Sequence, residues 1–169
     1  ARVDDVTAAF LVPGDGRVNP VDVTMALARG AKQRGVTVIE QVPVLDVITS
    51  ERRVSGVRTA HGDIEAEYVV NCAGMWARQL GEASGVNIPN QAAEHYYLIT
   101  EAMPEVDQNW PVIEDPRNYA YIRPEAGGLM IGLFEGKAAP WNVKSIPDHF
   151  SFAEIEPDWE RMTPYLQAA

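Results

Sequence analysis

Residues 64–78 read Ile64-Glu65-Ala66-Glu67-Tyr68-Val69-Val70-Asn71-Cys72-Ala73-Gly74-Met75-Trp76-Ala77-Arg78, and their reading decides the fold. Tyr68 to Cys72 is a short apolar run rich in β-branched residues, which predicts a strand buried on both faces of a parallel sheet. Ala73 and Gly74 follow, small enough for a backbone to approach a flat or charged group, and Met75 to Leu80 predicts the first turns of a helix. A strand that passes through a small-residue turn into a helix places a ligand at the strand's carboxyl end. The same residues equally make a tight connection that holds nothing.

Upstream, Asn19-Pro20-Val21-Asp22 opens a helix: Asn19 can cap it, Pro20 suits its first position, and Asp22 favours its positive end. Val23, Leu27 and Ala31 repeat at helical spacing, Arg29, Lys32 and Arg34 suit the carboxyl end, and Gly35 terminates. Gly30 inside that helix marks a close approach to the sheet. Val36 to Glu40 predicts a strand, and Ala8 to Val12 is a shorter apolar run that does not decide between strand and loop. The turn Pro13-Gly14-Asp15-Gly16 is not a phosphate loop, because no longer glycine pattern and no following Lys-Ser/Thr pair accompany it. Val44–Ile48, Arg53–Thr59 and Gly62–Ala66 are three short strands separated by polar tips, an antiparallel meander; His61 falls in the second tip and is solvated.

Downstream, the polar stretch 85–90 predicts the exit from a first lobe. Residues 92–101 alternate as a long strand, with His95, Tyr97 and Ile99 on one face and Tyr96, Leu98 and Thr100 on the other. Further strands are expected at Val112-Ile113, Ala120–Arg123 and Leu129–Phe134, then an irregular stretch over 136–150 and a helix from Pro157. The fold class is thus α/β in the first part and α+β over the whole: a lobe over 1–90, an antiparallel lobe over 91–155, and the start of a helix over 156–169.

The 169 residues can form one good core or two small lobes, and a hydrophobic content of 46% is normal for a globular chain. A net charge of −10 argues against nucleic acid or an anionic membrane as partner. The single cysteine, Cys72, permits no intramolecular disulfide and fits a reducing compartment, the cytoplasm or, in a eukaryote, the mitochondrial matrix. Without an initiating Met, and with Gln167-Ala168-Ala169 inside a helical pattern, the chain is expected to be a fragment of a longer protein.

Taken together, Asp15-Gly16-Arg17-Val18-Asn19-Pro20, the Val44–Val47 strand, Val69 to Ala77, Glu94-His95-Tyr96-Tyr97, and Tyr121 to Arg123 through Gly132-Leu133-Phe134-Glu135 resemble flavin-dependent amine oxidoreductases of the D-amino-acid-oxidase superfamily. The resemblance is closest to dimethylglycine and sarcosine dehydrogenases and extends to the regulatory subunit of pyruvate dehydrogenase phosphatase. It implies a partial FAD-binding, Rossmann-like domain followed by an antiparallel substrate lobe. No GxGxxG fingerprint occurs in the chain. The chain by itself is therefore expected to bind FAD weakly or not at all and to be inactive.

The same resemblance implies cofactor contacts at Val44, Ala73, Gly74, Met75 and Trp76, catalytic roles for His95 and Tyr97, and substrate contacts at Tyr121, Arg123 and Phe134. Its substrate would be a small amino-acid amine, and a folate-binding module elsewhere in such a protein would narrow that to methylamines. His95 either tunes amine protonation or packs between aromatics. Arg123 either binds a carboxylate bidentately, opening with His95 onto one cavity, or is a solvated arginine before Pro124. Phe134 stands where some relatives place a tyrosine. Two readings follow: an FAD-dependent dehydrogenase or oxidase of an N-methylated amino acid, or a non-catalytic regulatory protein of the same architecture.

Overall fold

In the computed structural model, which describes residues 4–141, 146, 147 and 149–168, Asn19 caps the first helix as its sequence implies. Its side-chain oxygen accepts the backbone N–H of Val21 at 2.9 Å and of Asp22 at 3.2 Å. The helix α1 (Pro20–Gln33) then runs to a left-handed Gly35 at φ +87°, whose N–H bonds Lys32. None of its residues is buried, and a Cβ at Gly30 would meet only the helix's own Arg34 guanidinium. The expected close approach to a sheet is therefore absent among the described residues.

Three strands, β1 (Val44–Ser50), β2 (Arg53–Thr59) and β3 (Gly62–Glu65), form the meander in the order β1-β2-β3. Glu51 and Arg52 both take positive φ, the two-residue turn that matches strand twist. At the second tip the Thr59 hydroxyl donates to the Gly62 carbonyl at 2.6 Å and accepts the His61 N–H at 3.1 Å, and His61 is exposed. A short 3-10 turn over Gly74–Trp76 leads into α2 (Ala77–Ala83). Ser84 ties α2 to β1, accepting the Val47 N–H at 3.0 Å.

Two predicted strands, at 36–40 and 68–72, are not formed, and the undecided run at 8–12 is not a strand either. Residues 8–12, 36–40 and 68–72 are unpaired, with Phe10 at 95%, Tyr68 at 86% and Val70 at 82% exposure, and Cys72 is exposed as well. The apolar pattern is present in each, but no described residue supplies a neighbouring strand. An extended segment without a ladder partner is not a strand.

The second sheet has the order β4-β7-β6-β5, with β4 (Tyr97–Ile99), β5 (Ile113–Asp115), β6 (Ala120–Glu125) and β7 (Gly128–Leu133), all antiparallel. The expected ten-residue strand at 92–101 shrinks to three residues, since Ala93 bridges Pro140 instead. Helix α3 (Trp159–Ala168) lies against one face, where Tyr96, Leu133 and Met162 are buried with Leu98, Ile131, Ile155, Tyr165 and Leu166 packed on them. The opposite face carries His95, Tyr97, Ile99, Tyr121, Arg123 and Phe134, as strand alternation requires.

The chain divides into two units: Ala1–Val23 with Glu94–Ala139 and Glu154–Ala169, and Thr24–Ala93 with Pro140–Ala153. The expected boundary at residue 90 falls at Ala93, and the first 23 residues group with the second sheet, not with the meander. Arg17 explains part of that grouping, donating to the carbonyls of Pro124 and, at 3.2 Å, Gln108. The stretch expected to be irregular, 136–150, lies partly outside the described residues. No described helix is long and apolar enough to cross a membrane.

One buried phenol in this sheet unit is held far from its ordinary titration. The Tyr96 hydroxyl donates to the Glu94 carboxylate at 2.6 Å, and that bond, burial and the nearby Glu94 and Asp158 charges push its pKa up to about 12, against an opposing Arg161. An unfolded tyrosine titrates near 10. Stability from this pair is therefore complete below about pH 10 and is lost as pH rises toward about 12. Tyr96→Phe is expected to flatten that alkaline fall in a denaturation series at stepped pH; an unchanged alkaline slope would assign it to other groups.

Candidate functional site

The open face of the second sheet assembles a histidine, a carboxylate and a row of aromatics. His95 sits just before β4, half-exposed, with its ring centroid 6.3 Å from that of Phe134, which lies 5.4 Å from that of Tyr121. Tyr97, Gly132 and Tyr121 stand opposite one another across β4, β7 and β6. Gly132 is what lets the Tyr121 ring lie flat on the sheet, since a Cβ there would fall 1.9 Å from the ring. Tyr97 and Phe134 remain half-exposed. His95 is thus not packed away between aromatics; it is bordered by them and reachable.

Glu135, one residue beyond the Phe134 that ends the aromatic row, was not singled out from sequence. Its carboxylate is 3.0 Å from His95 Nδ1, its side chain is only 2% exposed, and its other oxygen, Oε1, is buried with no hydrogen-bond partner among the described residues. Alternation would place residue 135 on the face away from Phe134, but β7 ends at Leu133, so the rule no longer applies there. No sequence signal marks that departure.

Arg123 is engaged within its own hairpin. It shares the sheet face with His95, but its row, Ile99–Met130–Arg123, lies four residues along from His95, roughly 13 Å at strand rise. Its Nη2 pairs with Glu125 at 2.9 Å. Arg123 and His95 thus stand in separate rows of the same face, with Arg123 held by Glu125.

The expected cofactor residues lie in the meander unit. Val44 begins β1 at a bulge and is exposed. Met75 and Trp76 are packed with Trp141 and Phe150 against Ala92 and Ile146, and Trp76 Nε1 donates to the Pro147 carbonyl at 3.4 Å. Their side chains therefore serve a core. What the turn leaves open is the space beside Gly74, where nothing lies within 4 Å of a built Cβ; its backbone is braced by Asn71, which accepts the Ala73 N–H at 3.1 Å, and by Asn90, which donates to the Gly74 carbonyl at 2.9 Å. That suits close approach by a flat or polar group. These residues fit the edge of a bound dinucleotide and offer no phosphate-cradling glycine loop.

Known proteins similar to this chain share one family. The family model described as DAO, FAD dependent oxidoreductase, matches residues 1–169. Sarcosine dehydrogenase, mitochondrial, of Homo sapiens is 38% identical over 173 residues, covering 99% of this chain and 18% of that protein. The pyruvate dehydrogenase phosphatase regulatory subunit, mitochondrial, of Mus musculus is 36% identical over 170 residues, covering 99% of this chain and 19% of its own length. The chain therefore spans about a fifth of these relatives. Among solved structures, L-proline dehydrogenase from P. horikoshii superposes with a TM-score of 0.70 at 23% identity, over 92% of this chain and 39% of that one, which shows the shared fold.

Proposed function

The chain belongs to the FAD dependent oxidoreductase family, and from that premise we propose that its whole protein oxidises a small N-methylated amino acid, sarcosine-like or dimethylglycine-like, at a C–N bond. The observation that carries this reading is His95: a half-exposed imidazole with a buried carboxylate on Nδ1, set on a sheet face of aromatic rings. FAD, when bound, supplies a two-electron acceptor for hydride from the carbon beside the amine nitrogen. The chain's own residues have a smaller task. The amine must be neutral before hydride can leave, and an ammonium ion gives up its proton to a positioned base. His95 offers a ring nitrogen as the acceptor for that proton. Phe134, Tyr121 and Tyr97 exclude water from the methylated amine and attract its cationic form through their ring faces. In the meander unit, the Ala73–Gly74 backbone and Val44 would meet the cofactor's edge.

Phe134 also supports a second reading, a regulatory protein without turnover, because it lacks the hydroxyl that a tyrosine would bring and because one relative is a regulatory subunit. Anaerobic mixing of the full-length, flavin-loaded protein with sarcosine and with dimethylglycine separates the two. Bleaching of the flavin absorbance by either amine is the expected result; a flavin that stays oxidised with both, at millimolar amine, favours the regulatory reading.

A further inference from the structure

We infer that Glu135 is a positioning residue, which acts through His95 by fixing the imidazole as the Nδ1–H tautomer so that its Nε2 lone pair faces the substrate amine. The inference rests on the reading of His95 as the proton acceptor and goes beyond it by assigning a second residue and a tautomer.

Three observations carry it. Glu135 Oε2 lies 3.0 Å from His95 Nδ1, the range of a direct hydrogen bond. An ionised carboxylate offers only acceptors, so the shared proton belongs to Nδ1, and in the neutral imidazole the other ring nitrogen is left with its lone pair. Second, the partners are unequally placed: the His95 side chain is 51% exposed and that of Glu135 is 2% exposed. An imidazole tethered from beneath by a buried group loses rotamer freedom while its far edge stays accessible, which is the arrangement a proton acceptor needs. Third, Glu135 Oε1 is buried without a partner among the described residues. Leaving a buried carboxylate half-satisfied is costly, and an apolar residue or a glutamine would be cheaper if position 135 served packing alone. The cost is understandable if the carboxylate is kept for its effect on His95.

Glutamine at 135 preserves size and burial but can turn its amide to donate to Nδ1, which would drive the ring proton to Nε2. The test uses the full-length protein with four forms: wild type, Glu135→Gln, His95→Gln and the double variant. Sarcosine is the probe. Glu135→Gln is expected to lower the limiting rate of flavin reduction about 10–100-fold, the range for groups that orient a functional imidazole, with flavin content and melting temperature unchanged. Adding it to His95→Gln should cost nothing more, because a residue that acts only through His95 has no effect once His95 is gone. Side-chain ¹⁵N spectra, with the His95 signals assigned by their loss in His95→Gln, should show Nδ1–H in wild type and a move toward Nε2–H in Glu135→Gln. Should the glutamine variant be unstable, Glu135→Asp keeps the carboxylate and should retain the wild-type tautomer.

Equal reduction rates for wild type and Glu135→Gln, multiplicative losses in the double variant, or an Nε2–H tautomer in wild type would each overturn the inference. If His95→Gln itself leaves reduction unchanged, the reading of His95 as proton acceptor fails. The ¹⁵N spectrum does not depend on turnover and still decides whether Glu135 sets the tautomer.

Discussion

Replacing His95 with alanine in the full-length protein is expected to slow sarcosine-driven flavin reduction by about 10²–10⁴-fold, the range for a positioned acid or base. Flavin content should stay the same. The separation is possible because His95 lies on the sheet unit with Phe134, Tyr121 and Glu135, whereas Val44 and the Ala73–Gly74 turn lie in the meander unit. His95 is half-exposed and belongs to neither buried cluster, so its truncation opens no core cavity. Anaerobic stopped-flow measurement of the limiting rate, with the bound flavin counted by absorbance, gives both numbers from one preparation. A limiting rate within a factor of two of wild type would leave the imidazole no part in proton transfer. Loss of flavin alongside the rate would mean instead that His95 supports the fold.

What could be read from the sequence was what is local. The α1 start depended on Asn19, Pro20 and Asp22, and the meander on alternation plus polar tips a few residues long, so both were found within a residue or two. Residues 36–40 and 68–72 have the composition of buried strands and yet Val36, Val38, Ile39, Tyr68 and Val70 lie exposed, because burial is a property of two surfaces and pattern reveals only one of them. Leu27, at 71% exposure on α1, is the same case.

The site divided along the same line. Alternation put His95 with Tyr97 on one strand face and left the relation to Tyr121 and Arg123 open; pairing through β7 is what brings Tyr97 and Tyr121 onto one face. The register sets Arg123 four residues away from His95, and register comes from turn geometry and pairing, which alternation does not reveal. Glu135 escaped notice because the pairing that would define its face stops two residues earlier.

Leu133→Ala is expected to be the most destabilising single truncation in the sheet unit, by about 2–5 kcal/mol. Leu133 is 0% exposed, ends β7 opposite Ala120, and donates its backbone N–H to the Tyr96 carbonyl at 3.4 Å. Tyr96 and Met162 are buried in the same cluster, so its side chain is shared between the sheet and α3. Removing three carbons there leaves a cavity that neither a paired strand nor a helix held at Met162 can easily collapse to fill. The residue after it is Phe134, so loosening the end of β7 also releases the aromatic that borders His95. Urea unfolding of the full-length protein, followed by the fluorescence of Trp159 on α3 in a variant lacking the other tryptophans, reports on this cluster. A midpoint shift equivalent to less than about 1 kcal/mol would mean that the cavity closes without strain and that α3 is not anchored through Leu133.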